Sequence, residues 1–186
     1  MTLLYLVRHG QATGGWDSDP DPGLDDLGRE QATTVSGWLA PLGPMTIVTS
    51  PMVRCRQTAA HLASIWGTRP QIDRAVSEIP SPEGFAVNDR VTWLRGAMTG
   101  KWADLGARYL SYRAGVLAAL AANTSDTVVF SHFIAINVAV GACLSRDELV
   151  IRSLDNCSVT IVEHDPTRPG RFELVEGGHE ADTLIR

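Results

Sequence analysis

The sequence predicts an α/β fold built on a largely parallel central sheet, and three observations lead there. Short apolar runs alternate with helix-period segments along the whole 186-residue chain. Three of those runs, Leu3–Val7, Thr46–Thr49 and Thr127–Phe130, are apolar or β-branched without polar alternation, as strands covered on both faces are. No repeat, linker or low-complexity tract interrupts the pattern, so residues 1–186 are expected to form one domain.

Each element follows from local chemistry. Leu3–Val7 is the first strand, and residues 11–24 read as loop because Gly14-Gly15 and an Asp/Pro cluster punctuate them. Asp25 can cap a helix carrying Ala32, Val35 and Leu39 at helical spacing, until Pro41 and Gly43 stop it. Thr46–Thr49 is a second strand. After Ser50-Pro51 a helix presents Ala59, Leu62, Ala63 and Trp66 on one face and ends at Gly67 and Pro70. Ile79 to Gly84 cannot be regular structure, since Pro80 and Pro82 remove donors and restrict the residues before them. Val87, Val91, Leu94 and Met98 then fall on one helical stripe, and an Ala-rich helix spans about 105–122. Thr127–Phe130 is the third buried strand, followed by an apolar helix over about 133–143. Val159–Val162 and Phe172–Val175 read as late strands joined by the Pro166/Pro169-Gly170 turn, and His179-Glu180 beyond them as a tail.

Composition excludes several functions. Sixteen Lys and Arg against 21 Asp and Glu leave a net charge of −5, which disfavours nucleic-acid or anionic-membrane binding because both require a basic face. No apolar window approaches the ~18–20 residues of a membrane span. The first apolar run meets Arg8-His9 instead of a cleavage site, so the chain reads as cytoplasmic. Three cysteines without a CxxC pair read as reduced thiols, consistent with that compartment. The five histidines show no metal-ligand spacing, and no metal or cofactor is expected.

The chemistry gathers where the strands end. The first runs into Arg8-His9-Gly10, the second into Ser50-Pro51 with Arg54 a turn beyond, and the third into Ser131-His132. In open α/β sheets the carboxyl ends of the strands form the binding crevice. If the three strands are parallel neighbours, two arginines and two histidines converge there, a cluster that repels itself unless an anion is bound. The guanidinium fork suits phosphate best, so phosphate is the expected anion.

These residues are carried by longer motifs. Leu6-Val7-Arg8-His9-Gly10-Gln11, Leu24 to Ala32 with its Leu27-Gly28 and Gln31-Ala32 pairs, Ser50 to Ala59, Val128 to His132, and Asn156 to Val159 occur in that order. Together they resemble the histidine phosphatase (phosphoglycerate mutase-like) superfamily. The resemblance implies a three-layer α/β/α sandwich and a phosphomonoester hydrolase needing no metal. By it, His9 is the nucleophile that becomes phosphohistidine, while Arg8, Arg54 and His132 hold the phosphoryl oxygens. Gln11 adds a polar contact at the rim. The family's proton donor is a carboxylic acid after the third strand, here Glu78, which follows Gln71-Ile72-Asp73, with Glu83 as the competitor. The motif around Glu78 departs from the family's usual Glu-x-x-x-Gly-x-Trp-Glu-Gly.

The loop after His9 has Gly14-Gly15-Trp16 where mutase-type members carry asparagine, and 186 residues leave little room for a lid. Hydrolysis is therefore expected over phosphoglycerate mutase-type transfer, with a non-catalytic phospho-ligand binding module as the alternative from another class. The substrate is expected to be a small phosphorylated metabolite or a phosphoprotein, and the protein a monomer or homodimer. The variable segment at about 79–104 would shape the substrate side: Arg90, Arg95 and Lys101 can meet a second anion, and of Trp93 and Trp102 at least one is expected to pack the helix onto the sheet.

Overall fold

The order of strands decides where the chemistry falls. The computed structural model describes residues 1–14, 19–84, 87–168 and 170–181, with the backbone alone at Val87 and Asn88. Gly15 and Trp16, where the sequence departs from mutase-type members, lie outside these residues, as do Pro169 of the late turn and the Val87 side chain of the expected apolar stripe.

In chain order the elements are β1 (Thr2–Arg8), α1 (Asp26–Leu39), β2 (Thr46–Thr49), α2 (Val53–Trp66), β3 (Gln71–Ile72), α3 (Val87–Met98), α4 (Ala107–Ala121), β4 (Thr127–Ser131), α5 (Phe133–Leu144), β5 (Val159–His164) and β6 (Phe172–Gly177). They form one six-stranded sheet ordered β3-β2-β4-β1-β5-β6. The first four positions are parallel, whereas β5 runs antiparallel to β1 and β6 antiparallel to β5. The last pair is a hairpin, whose short turn permits no other direction.

Alternation along the strands builds the two outer layers. Tyr5, Val7, Ile47, Val128 and Phe130 face Val35, Leu39, Ala59 and Leu62 of α1 and α2. Leu4, Leu6, Val48, Val129 and Val162 face the other way, onto Leu94, Val116, Leu120, Ile134 and Val138 of α3, α4 and α5. The result is a three-layer α/β/α sandwich, as the strand and helix periods require. Residues Phe133 to Gly141 of α5 are buried on every side, which explains why they are apolar except for Asn137, whose side chain is fully hydrogen-bonded to the Phe133 and Arg152 carbonyls and the Ile151 and Arg152 backbone N–H groups.

Local signals act as read. Asp25 caps α1 by accepting from the Gly28 backbone N–H, and Gly67 ends α2 in the left-handed conformation. Gly10 and Gly28 let the loop after β1 press against the start of α1: a Cβ on Gly10 would lie 2.5 Å from the Gly28 carbonyl oxygen, and one on Gly28 would lie 2.0 Å from that of Gln11. Both tryptophans of the variable segment pack: Trp102 is buried and stacks on Tyr112, and Trp93 stacks on Tyr109.

The reading of His179 and Glu180 as a tail is corrected. The backbone N–H of Asp155 donates to the His179 carbonyl, that of Ala181 donates to the Ser153 carbonyl, and Glu180 pairs with Arg152 at 2.7 Å. This strap forms because the Asp155 N–H and the Ser153 carbonyl lie outside helix and strand and take their backbone partners from residues 179 and 181. Among the described residues no helix is long and apolar enough to cross a membrane.

Candidate active site

Because β4 lies between β2 and β1, the three chemically marked strand ends are adjacent. Register brings Val7 and Thr49 level with Phe130 on either side, and the ladder continues past the strands through His9 N–H to the Ser131 carbonyl and Ser50 N–H to the Phe130 carbonyl. The next residues, His9, Ser50 and His132, therefore emerge at one edge. Arg54 follows from the first turn of α2. At this edge Arg8, His9 and Arg54 line a cleft of about 580 Å³, while Ser50 and His132 are buried and do not line it.

Arg54 organises the floor. It is 6% exposed, its Nε donates to His9 Nε2 at 3.2 Å, and its Nη2 lies 3.3 Å from His132 Nδ1. An acceptor role for His9 Nε2 puts the proton on Nδ1, which donates to the Gly10 carbonyl at 2.8 Å. The same logic makes His132 Nδ1 an acceptor and lets its Nε2–H donate to Ser50 Oγ at 2.8 Å. The imidazoles meet edge-on, with ring centroids 5.2 Å apart. Asp21 reaches in from the loop after β1, accepts from the Val53 backbone N–H at 2.8 Å and stands 3.9 Å from Arg54 Nη1. Arg8 donates to the Leu154 carbonyl and lies over the Phe133 ring.

The self-repulsion expected of this cluster is relieved before any anion binds. Burial, then Arg54, then Arg8 push His9 well below its usual value. Burial and Arg54 do the same to His132. Both histidines stay neutral near pH 7, so the cluster carries the two guanidinium charges alone.

The sequence left two carboxylates as candidates beyond the floor, and the fold separates them. Glu78 lines the cleft, held between Val76, whose carbonyl accepts from Ser131 Oγ, and buried Ile79. The Ser77 carbonyl accepts from Tyr112 Oη at 2.9 Å. Glu78 Oε1 accepts from the Ile79 and Ile134 backbone N–H groups at 2.9 and 3.2 Å, so it sits on the first turn of α5. Burial raises its carboxyl above the ordinary value, and the two backbone donors and the nearby arginines only partly offset this. Glu83 is exposed and pairs with Arg108 at 3.3 Å; it does not line the cleft among the described residues.

Gln11 lines the cleft, but its amide Nε2 donates to the capping carboxylate of Asp25 at 2.9 Å, so that group is engaged in holding the loop to α1. Arg90 lines the cleft, whereas Arg95 and Lys101 are exposed. Two supporting residues escaped the sequence reading. Asn156 Nδ2 donates to the His9 carbonyl at 2.8 Å, and Ser50 orients His132. Both belong to motifs recognisable in the sequence, but only as strand flanks. Among the described residues no group of three or more His, Cys, Asp or Glu side chains is placed to hold a metal ion.

Comparison with known proteins places the chain in a family. The model of the histidine phosphatase superfamily (branch 1) matches residues 4–176. The chain is 40% identical over 83 residues to PE-PGRS family protein PE_PGRS11 of Mycobacterium tuberculosis, covering 41% of this chain and 14% of that protein. It is 37% identical over 79 residues to the glucosyl-3-phosphoglycerate phosphatase of Mycolicibacterium vanbaalenii, covering 40% of this chain and 35% of that one. The matched stretches thus span well under half of both curated relatives. In fold it is similar to phosphoserine phosphatase from Entamoeba histolytica, with a TM-score of 0.74 at 20% identity over 96% of this chain and 98% of the other.

Proposed function

This chain belongs to the histidine phosphatase superfamily, and from that premise we propose that it is a metal-independent phosphomonoesterase working through a phosphohistidine. The observation that carries the reading is the single neutral nitrogen, His9 Nε2, held against Arg54 in a cleft with Arg8, beside a second neutral histidine. The whole chain acts as one domain, with residues 79–104 on its substrate side.

The reaction follows from the groups present. The phosphoryl group binds between Arg8, Arg54 and His132, with Gln11 at the rim. It takes the place of the direct contact between Arg54 and His9. His9 Nε2 attacks phosphorus, the P–O bond to the leaving group breaks, and the Glu78 carboxyl gives its proton to the departing alkoxide. The Nδ1–H stays on the ring, where the Gly10 carbonyl accepts it and supports the positive charge of the phosphorylated imidazole. Water then attacks phosphorus and leaves its proton on Glu78, the P–N bond breaks, and inorganic phosphate departs. The two guanidinium groups supply most of the stabilisation, as positioned charges do in phosphoryl transfer. Burial of Glu78 pushes its proton affinity in the direction a donor near neutral pH needs.

The names of the phosphatases it resembles, acting on glucosyl-3-phosphoglycerate and phosphoserine, support a small phosphorylated metabolite as substrate. The test is turnover of p-nitrophenyl phosphate by wild type and His9→Ala. Wild type should hydrolyse the ester equally with and without EDTA, and the variant should lose activity on the order of 10³-fold or more. Retained hydrolysis by the variant would exclude the phosphohistidine; no turnover by either would favour a phospho-ligand binding module.

A further inference from the structure

Glu78 sits on chain that helix and strand do not hold. It lies between a short 3-10 turn at Arg74–Val76 and the Pro80-Ser81-Pro82 stretch, where the sequence departs from the family's usual motif. Pro80 and Pro82 have no N–H to donate, so the geometry of the segment has to come from its neighbours. Two hydroxyls reach it from other elements. Ser131 Oγ, at the end of β4, donates to the Val76 carbonyl at 2.7 Å. Tyr112 Oη, on α4, donates at 2.9 Å to the carbonyl of Ser77, the residue before Glu78. Burial, and after it the Glu78 charge, hold the Tyr112 phenol well above its ordinary value, so near neutral pH it keeps its proton and stays a donor.

Tyr112 is itself braced. Its ring stacks on Trp102, which is buried, with 6.0 Å between centroids, and the Arg113 guanidinium lies 5.9 Å from the Trp102 ring centre. Arg113 pairs with Asp147, whose carbonyl accepts from the Trp102 backbone N–H at 2.9 Å. A ring that merely filled space would need no hydroxyl. This hydroxyl is aimed at one carbonyl 35 positions away, directly beside the carboxyl. Proton transfer needs the donor within hydrogen-bond reach of the leaving oxygen, and a displacement of about 1 Å can cost on the order of 10²-fold. Resting on the phosphomonoesterase reading with Glu78 as proton donor, we propose that Tyr112 is a positioning residue: its hydroxyl, braced by Trp102, anchors Ser77 and so holds the Glu78 carboxyl at the leaving oxygen. Neither Tyr112 nor Trp102 lines the cleft, so their influence on the reaction passes through Glu78.

Tyr112→Phe keeps the ring and its stacking and removes the hydroxyl alone. With n-propyl phosphate the variant should lose about tenfold in kcat/KM, and with p-nitrophenyl phosphate, whose leaving group needs no proton, less than about twofold. Inhibition by inorganic phosphate should not change, because the floor is untouched. In a Glu78→Gln background the same substitution should add no further loss, since the group it positions is gone. Equal losses on both esters, an unchanged alkyl rate, or a full tenfold additional loss in the Glu78→Gln background would overturn the role. The Glu78 carboxyl followed by 13C NMR gives a readout apart from turnover. Burial holds it above the ordinary carboxyl value, and in Tyr112→Phe its titration point should fall toward that value as the loosened segment meets water. An unmoved titration point would overturn the proposal as well. If wild type hydrolysed neither ester, the hydrolase reading would fail while this titration still decided whether Tyr112 holds Glu78.

Discussion

The floor and the wall of the cleft are built on different terms. On the floor every key side chain is tied down: Arg54 contacts both histidines, His9 is held by Gly10, His132 by Ser50, and Arg8 by Leu154. These residues come from strand ends locked level by sheet register. The wall comes from irregular chain after β3 and from α3. There Glu78 keeps a raised proton affinity against the pull of its donors, and Arg90 keeps a buried N–H unmade. The difference lies in how many partners hold each group: the floor is fixed in one geometry by its own hydrogen bonds, and Arg90 of the wall is not.

Breaking the floor should have the largest effect. Arg54→Met removes the shared donor, and hydrolysis of p-nitrophenyl phosphate should fall about 10²- to 10³-fold, the usual loss for a transition-state donor. The same variant should raise the titration points of His9 and His132 by NMR, because Arg54 follows burial as the second force holding both down. A fall below tenfold would show that the floor does not depend on its central arginine.

A change in the wall should be substrate-dependent. Glu78→Gln should slow alkyl phosphates about 10²-fold and activated aryl phosphates far less, since only the former need a proton on the leaving oxygen. Equal losses would remove Glu78 from the donor role. Stability should move the other way. Because the folded-state value of Glu78 lies above the ordinary 4.5, the carboxyl stabilises the fold at low pH and loses that contribution as pH rises through its folded value. The Tm of Glu78→Gln relative to wild type should therefore rise with pH from 4.5 upward. His9 and His132, whose folded values are depressed, act with the opposite sign: wild-type stability falls as pH drops below about 6.5.

The smallest expected effect lies at the floor's margin. Asp21→Ala removes the acceptor of the Val53 N–H and a carboxylate near Arg54. Thermal unfolding should show a loss of about 1 kcal/mol, and kcat/KM for the aryl ester should fall less than about tenfold, as for a partly exposed ion pair. A loss matching Arg54→Met would make Asp21 part of the floor.

The floor was legible in the sequence because each of its residues lies within a few positions of an apolar run, and a run's end is visible without knowing the fold. The wall was not. Glu78 and Glu83 sit in one Pro-rich stretch with no periodicity to orient them. Only the contacts of Val76, Ser77 and Ile79 turn Glu78 inward, while Glu83 goes to solvent and Arg108. Ser50 and Asn156 were readable as motif members but not as supports, since one acts on a histidine 82 positions away and the other on a carbonyl 147 positions away. The strap of His179 to Ala181 was hidden for a related reason: a backbone pairing leaves no side-chain signature.

Periodicity, caps and apolar runs by themselves determined most of the element order, the α/β class and the strand ends that carry Arg8, His9 and His132, with Arg54 a turn beyond, because these depend on local sterics and on burial of one face. Tertiary structure decided what depends on environment. It inserted β4 between β2 and β1, so that the strand ends meet. It stripped water from two histidines and a glutamate, lowering the first two and raising the third. Proton affinity and ligand geometry are set by neighbours distant in the chain, and only the folded molecule brings those neighbours together.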